Sequence, residues 1–99
     1  MIVAFSVTPM GGSESVGAAV AECVRIVRAS GLPHETNAMF TNVEGEWDEV
    51  MGVVRACVDR AAEHAPRVSV TMKIDHRPGV ADQLRRKVES VERHLDEAD

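Results

Sequence analysis

Val68, Val70, Met72 and Ile74 alternate with Ser69, Thr71 and Lys73 across residues 67–75, and Val3, Phe5 and Val7 alternate with Ala4, Ser6 and Thr8 over residues 2–8. A two-residue period sends successive side chains to opposite faces of a strand. Both segments therefore belong to a sheet that is covered on one face only. That pattern is the mark of antiparallel sheets, because parallel ones are buried on both sides. The chain must lay helices against one face and leave a second face carrying hydroxyls.

The helices are written between the strands. Pro9-Met10-Gly11-Gly12-Ser13 breaks the first strand, and Ser13 or Ser15 suits a helix N-cap. Val16, Val20, Cys23, Val24 and Val27 then recur at helical spacing, and Ser30-Gly31-Leu32-Pro33 stops them. Residues 34–44 are extended and long enough for two strands with a tight turn near Met39-Phe40. Gly45-Glu46 opens a second helix with Glu46, Asp48 and Glu49 in its first turn, where the helix dipole favours acids. Its inner stripe is Trp47, Val50, Met51, Val54, Cys57, Val58 and Ala61, and Ala65-Pro66 ends it. After the strand over 67–75, His76-Arg77-Pro78-Gly79 turns into a last helix from Val80 to Leu95, striped by Val80, Leu84, Val88, Val91 and Leu95.

The order βαββαβ plus one helix predicts an α+β fold, a ferredoxin-like sandwich with an extra C-terminal helix. Its four-stranded antiparallel sheet carries helices on one face, in one domain spanning residues 1–99. On the open face the alternation places Ser6, Thr8, Ser69, Thr71 and Lys73, with Asn37 and Glu44 joining them. Such a face is either wet or half of a polar pocket roofed by another subunit.

Size and charge narrow the partners. A chain of 99 residues makes a small core, so self-association is expected. A net charge of -5 without a Lys/Arg cluster beside aromatics makes nucleic acid and anionic membranes poor partners. No apolar stretch approaches a bilayer span, and the first residues lack the basic region of a signal peptide, so a cytoplasmic location is expected.

No residue set marks a catalyst or a metal site. The histidines 34, 64, 76 and 94 share no ligand spacing with one another or with a cysteine. Cys23 and Cys57 fall on apolar stripes, the place of small buried residues; a nucleophile needs an exposed, electropositive setting. Gly11-Gly12-Ser13 lacks the Lys-Ser/Thr of a P-loop and reads as a turn, with backbone N–H groups also available to an anion or a hydroxymethyl group. Trp47 is either a core or interface plug or a flat surface for an aromatic ligand. Glu44, at a strand end among polar residues, is either a helix cap or an acceptor for an amino-substituted heterocycle.

The segment Thr41-Asn42-Val43-Glu44-Gly45-Glu46-Trp47-Asp48-Glu49-Val50-Met51 resembles the signature of a small family of thiamine-binding proteins with a ferredoxin-like fold. Ser6-Val7-Thr8-Pro9-Met10-Gly11 with Ser15-Val16, Lys73-Ile74-Asp75-His76-Arg77, and Lys87-Val88-Glu89-Ser90-Val91 agree with it, so the resemblance runs through the whole chain. It implies binding of thiamine or its hydroxymethylpyrimidine half, and assembly through sheet edges into dimers that stack as tetramers. Phe40 stands where family members often carry Gly, and a ring there would narrow a pocket or change its ligand.

The open-face argument makes Ser6, Thr8, Asn37, Met39, Thr41, Glu44, Trp47 and Thr71 the ligand-binding candidates. Asn37 and Glu44 would read a polar ring edge, Ser6, Thr8 and Thr71 would add hydroxyls, and Trp47 or Met39 would cover the ring. The expected protein is a non-catalytic carrier or sensor at a subunit interface, a homo-oligomer with no cofactor. The rival readings are a small cofactor-independent enzyme on a dimeric frame of this fold, which would enclose an apolar cavity with a working His or aromatic cluster, and a ligand-free assembly module.

Overall fold

The computed structural model describes residues 1–12 and 16–98. The elements run β1 (Ile2–Met10), α1 (Val16–Ala29), β2 (His34–Thr36), β3 (Thr41–Glu44), α2 (Trp47–Ala62), β4 (Arg67–Asp75) and α3 (Gln83–Ala98). The sheet is antiparallel throughout, in the order β2-β3-β1-β4, which is the ferredoxin-like arrangement expected from the element order. The capping expectation for Ser13 or Ser15 lies outside the described residues.

Val3, Phe5 and Val7 of β1 and Val43 of β3 are buried on the helix side, as alternation requires. α1 meets them with Ala19, Cys23 and Val27, one residue every fourth along a single face, while Val16 and Val20 stay exposed. α2 contributes Val50, Val53, Val54, Cys57 and Ala61. Across the α1–α2 contact the Arg60 guanidinium donates to both Glu22 oxygens at 2.9 and 3.0 Å, which holds the Glu22 carboxyl below its ordinary range. β4 is an edge strand whose apolar side is only partly covered: Val70 and Ile74 remain 38% and 39% exposed.

Two boundaries differ from the sequence pattern. β1 continues through Pro9 to Met10, because β3 pairs only with Ile2–Phe5 and a missing N–H is tolerated where β1 has a neighbour on one side alone. α3 begins at Gln83 and not at Val80. Asp82 sits at φ 62°, which interrupts the helical path of the preceding residues. At Gly12 a Cβ would stand 2.3 Å from the His64 carbonyl oxygen, so glycine lets the β1–α1 connection pack on the α2–β4 connection.

Cys23 and Cys57 are both buried and unbridged. Each thiol donates to the other residue's carbonyl, at 3.7 and 3.6 Å, and the contact with Cys23, reinforced by burial, pushes the Cys57 thiol up. They are packing residues, and replacing both by Ala is expected to cost about 1–3 kcal/mol in total on cavity grounds. Urea unfolding of the double variant measures this; an unchanged midpoint would contradict it.

Candidate ligand site

β1 outruns β3, and the site lies where it does. Beyond Phe5 the strand keeps β4 on one side and, among the described residues, has no strand on the other. Its backbone polar groups on that side are unclaimed by the ladder. The β2–β3 hairpin curls beside this free edge. Asn37 builds its turn: the Asn37 N–H donates to the Phe40 carbonyl at 2.9 Å, and the Asn37 side-chain carbonyl accepts from the Met39 and Phe40 N–H groups, each at 2.9 Å. An Asn side chain that mimics a backbone turn needs no Asn-Gly pair to reverse the chain.

Hairpin, β1 edge and α1 together enclose a cleft of about 290 Å³. Ser6, Thr8, Asn37, Met39 and Thr41 all line it, with Phe40 and Val20 as apolar wall. Thr41, opposite Phe5, belongs to the helix side of the sheet and reaches the cleft at its rim. No described residue hydrogen-bonds the hydroxyls of Ser6, Thr8 or Thr41, and the Asn37 amide nitrogen is also uncommitted. Met39 is 74% exposed at the mouth and Phe40 is half-buried, so a flexible thioether and a ring flank the polar edge. The cleft therefore offers hydroxyl donors and acceptors, one amide donor, free strand-edge groups and an aromatic face. Its volume sits at the lower end of the ordinary range for small-molecule sites, about 300–1,000 Å³.

The other three candidates lie outside this cleft. Thr71 faces Ser6 directly across the β1–β4 ladder, so the two hydroxyls share the open face. Glu44 pairs with Ile2, four residues along β1 from Ser6, a separation of about 13 Å. Its carboxylate is buried and accepts from the Gln83 N–H at 2.7 Å and the Leu84 N–H at 3.2 Å, capping α3. Trp47 is 48% exposed at the start of α2 and meets the His76 ring edge-on, with centroids 5.9 Å apart.

The Glu44 cap draws the first turns of α3 across the open face. Lys87 of α3 pairs with Asp75, which shares a row with Ile2 and Glu44, and holds the Asp75 carboxyl below its ordinary range. A second cavity of about 440 Å³ opens between α3 and the sheet, with Ala4, Asn42, Lys73 and Leu84 among its walls. Asn42 and Glu35 reach this cavity as a cross-strand pair. Neither is among the candidates read from the sequence, although the two-residue period that places Glu44 on the open face places Asn42 there too. Among the described residues no three His, Cys, Asp or Glu side chains converge as a metal site would need.

Comparison with known proteins agrees with this architecture. The sequence profile of the family described as thiamine-binding protein matches residues 3–92. UPF0045 protein Mb1933 of Mycobacterium bovis is 55% identical over 96 residues, covering 96% of this chain and 94% of its own. UPF0045 protein sll0230 of Synechocystis is 39% identical over 97 residues, covering 97% of this chain and 80% of its own. Among solved structures, the Methanocaldococcus protein MJ1052 superposes with a TM-score of 0.81 at 28% identity, over 91% of this chain and 93% of that one. A Thermotoga maritima protein provisionally assigned to thiamine biosynthesis or salvage superposes at 0.76 over 91% and 96%; at 22% identity it speaks for the fold alone. With nearly its whole length matched by the profile, this chain belongs to the thiamine-binding protein family.

Proposed function

We propose that the protein binds thiamine or its hydroxymethylpyrimidine half without transforming it, in the hairpin cleft, as a homo-oligomer. The observation that carries this reading is the set of uncommitted polar groups beside Phe40 in a cleft of about 290 Å³. An aminopyrimidine presents donors and acceptors on one edge and a flat apolar face. Ser6, Thr8 and Asn37 suit the edge, and Phe40 and Met39 suit the face. Binding is favoured over turnover because, Cys23 apart, the cleft is lined by hydroxyl, amide and apolar side chains. The Cys23 thiol is buried and engaged by the Cys57 carbonyl. Membership of the thiamine-binding protein family supports a thiamine-related ligand.

Two surfaces support a dimer or tetramer. β4 is a nine-residue edge strand, and α3 exposes Val88, Val91 and Leu95 by 52%, 61% and 61%. A partner covering α3 would also close the cavity between that helix and the sheet. The unbridged cysteines fit the reducing cytoplasm, where we place the protein.

Titration calorimetry with thiamine, thiamine phosphates and hydroxymethylpyrimidine tests the reading. Saturable binding of thiamine or the pyrimidine, with the ligand recovered unchanged by mass spectrometry, is the expected result. Silence for all of them would overturn it. Asn37→Ala is expected to weaken binding by about tenfold, the worth of one good hydrogen bond to a bound ligand. Undiminished affinity in a folded Asn37→Ala protein would move the ligand out of the hairpin cleft.

A further inference from the structure

On a different face of α3 lies a cleft of about 510 Å³, walled by the β4–α3 connection and by the helix itself. Arg77 reaches it from the connection, and Arg86 and Arg93 from the helix, with Gln83, Ser90 and Val80 between them. Residues 83, 86, 90 and 93 are spaced by three, four and three, so they form one face of α3, turned away from the Leu84-Val88-Val91-Leu95 stripe. Among the described residues Arg77, Arg86 and Arg93 make no ion pair. The other charges at the cleft are committed elsewhere: Glu89 accepts from Arg85 at 2.9 Å, and Lys87 holds Asp75. Five of the chain's eleven Lys and Arg fall within residues 77–93, against three acids, in a protein whose net charge is -5.

We propose that this cleft binds a phosphorylated small molecule, a phosphate ester or diphosphate with an organic part. A guanidinium is a planar fork of donors that matches phosphate oxygens, and three of them line this cleft, while the carboxylate on its wall, Glu89, is held by Arg85. The Ser90 hydroxyl and Gln83 amide add neutral donors. Arg86 and Arg93 are two turns apart, about 10.5 Å along the axis, too far for one bare phosphate to span and suited to an extended anion. Val80 supplies apolar contact for the organic part. A nucleic acid is disfavoured by the overall negative charge and by the absence of an aromatic side chain from the cleft lining. The proposal does not depend on thiamine binding, since the two clefts share no residue.

The test titrates the full chain with phenyl phosphate, inorganic pyrophosphate and inorganic phosphate at constant ionic strength. Phenyl phosphate and pyrophosphate should saturate. The R86Q/R93Q variant should weaken both by at least about tenfold, with thiamine affinity, oligomeric mass and the circular dichroism spectrum unchanged. A control variant, R25Q/R28Q, removes two exposed cations from α1 and should bind both anions as the parent does. Arg77→Gln gives the same readout from outside the helix should the double variant misfold. Equal weakening in the control would reduce the effect to general charge and overturn the site. So would silence from phenyl phosphate and pyrophosphate, inorganic phosphate binding as tightly as its phenyl ester, or a change of oligomeric mass in R86Q/R93Q.

Discussion

Glu44→Ala should lower the unfolding free energy by about 3 kcal/mol and free the start of α3 from the sheet. The carboxylate is 5% exposed and accepts from two helix N-terminal N–H groups. Removing it leaves the buried Gln83 N–H without its acceptor, and a hydrogen bond to a charged group is worth about 1.5–3 kcal/mol. It also removes the negative charge from the positive end of the helix dipole. Glu44→Gln keeps an acceptor oxygen and the side-chain shape, so its cost should be near 1 kcal/mol. For a domain of this size the Ala variant corresponds to a fall in Tm of about 15 °C. Thermal melts and amide exchange over residues 83–90 measure both effects. Equal melting of the two variants and the parent would show that α3 docks without this cap. A thiamine titration of the folded Gln variant then decides whether Glu44 also reads the ligand: a tenfold loss adds that role, and unchanged affinity leaves it a cap.

That cap marks the boundary of what the sequence makes legible. Helix capping is usually a local matter, and the residue placed to cap α3 locally, Asp82, stands at φ 62° with its carboxylate turned to Arg85. The acceptor instead comes from β3, far away in the chain, and only the assembled sheet brings it there. The apolar spacing from Val80 to Leu84 fits a helix equally well, so periodicity alone runs the helix three residues too far. The long strands behave differently. The two-residue period of β1 and β4 assigns their faces from residue order alone, which is why Ser6 and Thr71 share a face as expected; that they stand directly opposite one another is set by the register, which only the structure gives. Parity also holds in β3, where it puts Thr41 on the helix side with Val43 and not on the open face, whereas the turn is beyond its reach: Asn37 spends its side-chain carbonyl on the hairpin. The hairpin cleft, which gathers Ser6, Thr8, Asn37, Met39 and Thr41, exists because β3 stops short of β1, and no local pattern announces that mismatch in length.

The largest effect is expected at the uncovered stripe of α3. Val91→Gln with Leu95→Gln should convert the assembly to monomers while leaving each subunit folded. Both side chains are 61% exposed in the single chain, so its core does not depend on them. Gln is at least as good a helix former as Val and close to Leu, so the helix itself should persist. In a two-fold contact each subunit would bury both residues, four in all. Full burial of a Val or Leu is worth about 1.5–3 kcal/mol, and the fraction already covered in the monomer reduces the sum to about 4 kcal/mol. That is about a thousandfold in dissociation constant, enough to move a micromolar assembly beyond ordinary working concentrations. Light scattering across a dilution series reads the mass directly, and far-ultraviolet circular dichroism checks the helix. None of Val88, Val91 and Leu95 belongs to the core cluster or packs against it, so the stripe is not spoken for by the subunit's own core. A monomeric parent protein would overturn the proposed assembly itself, whereas a double variant of undiminished mass would remove α3 from the interface and leave the β4 edge as the surface to test by placing proline at an outward-facing position of that strand.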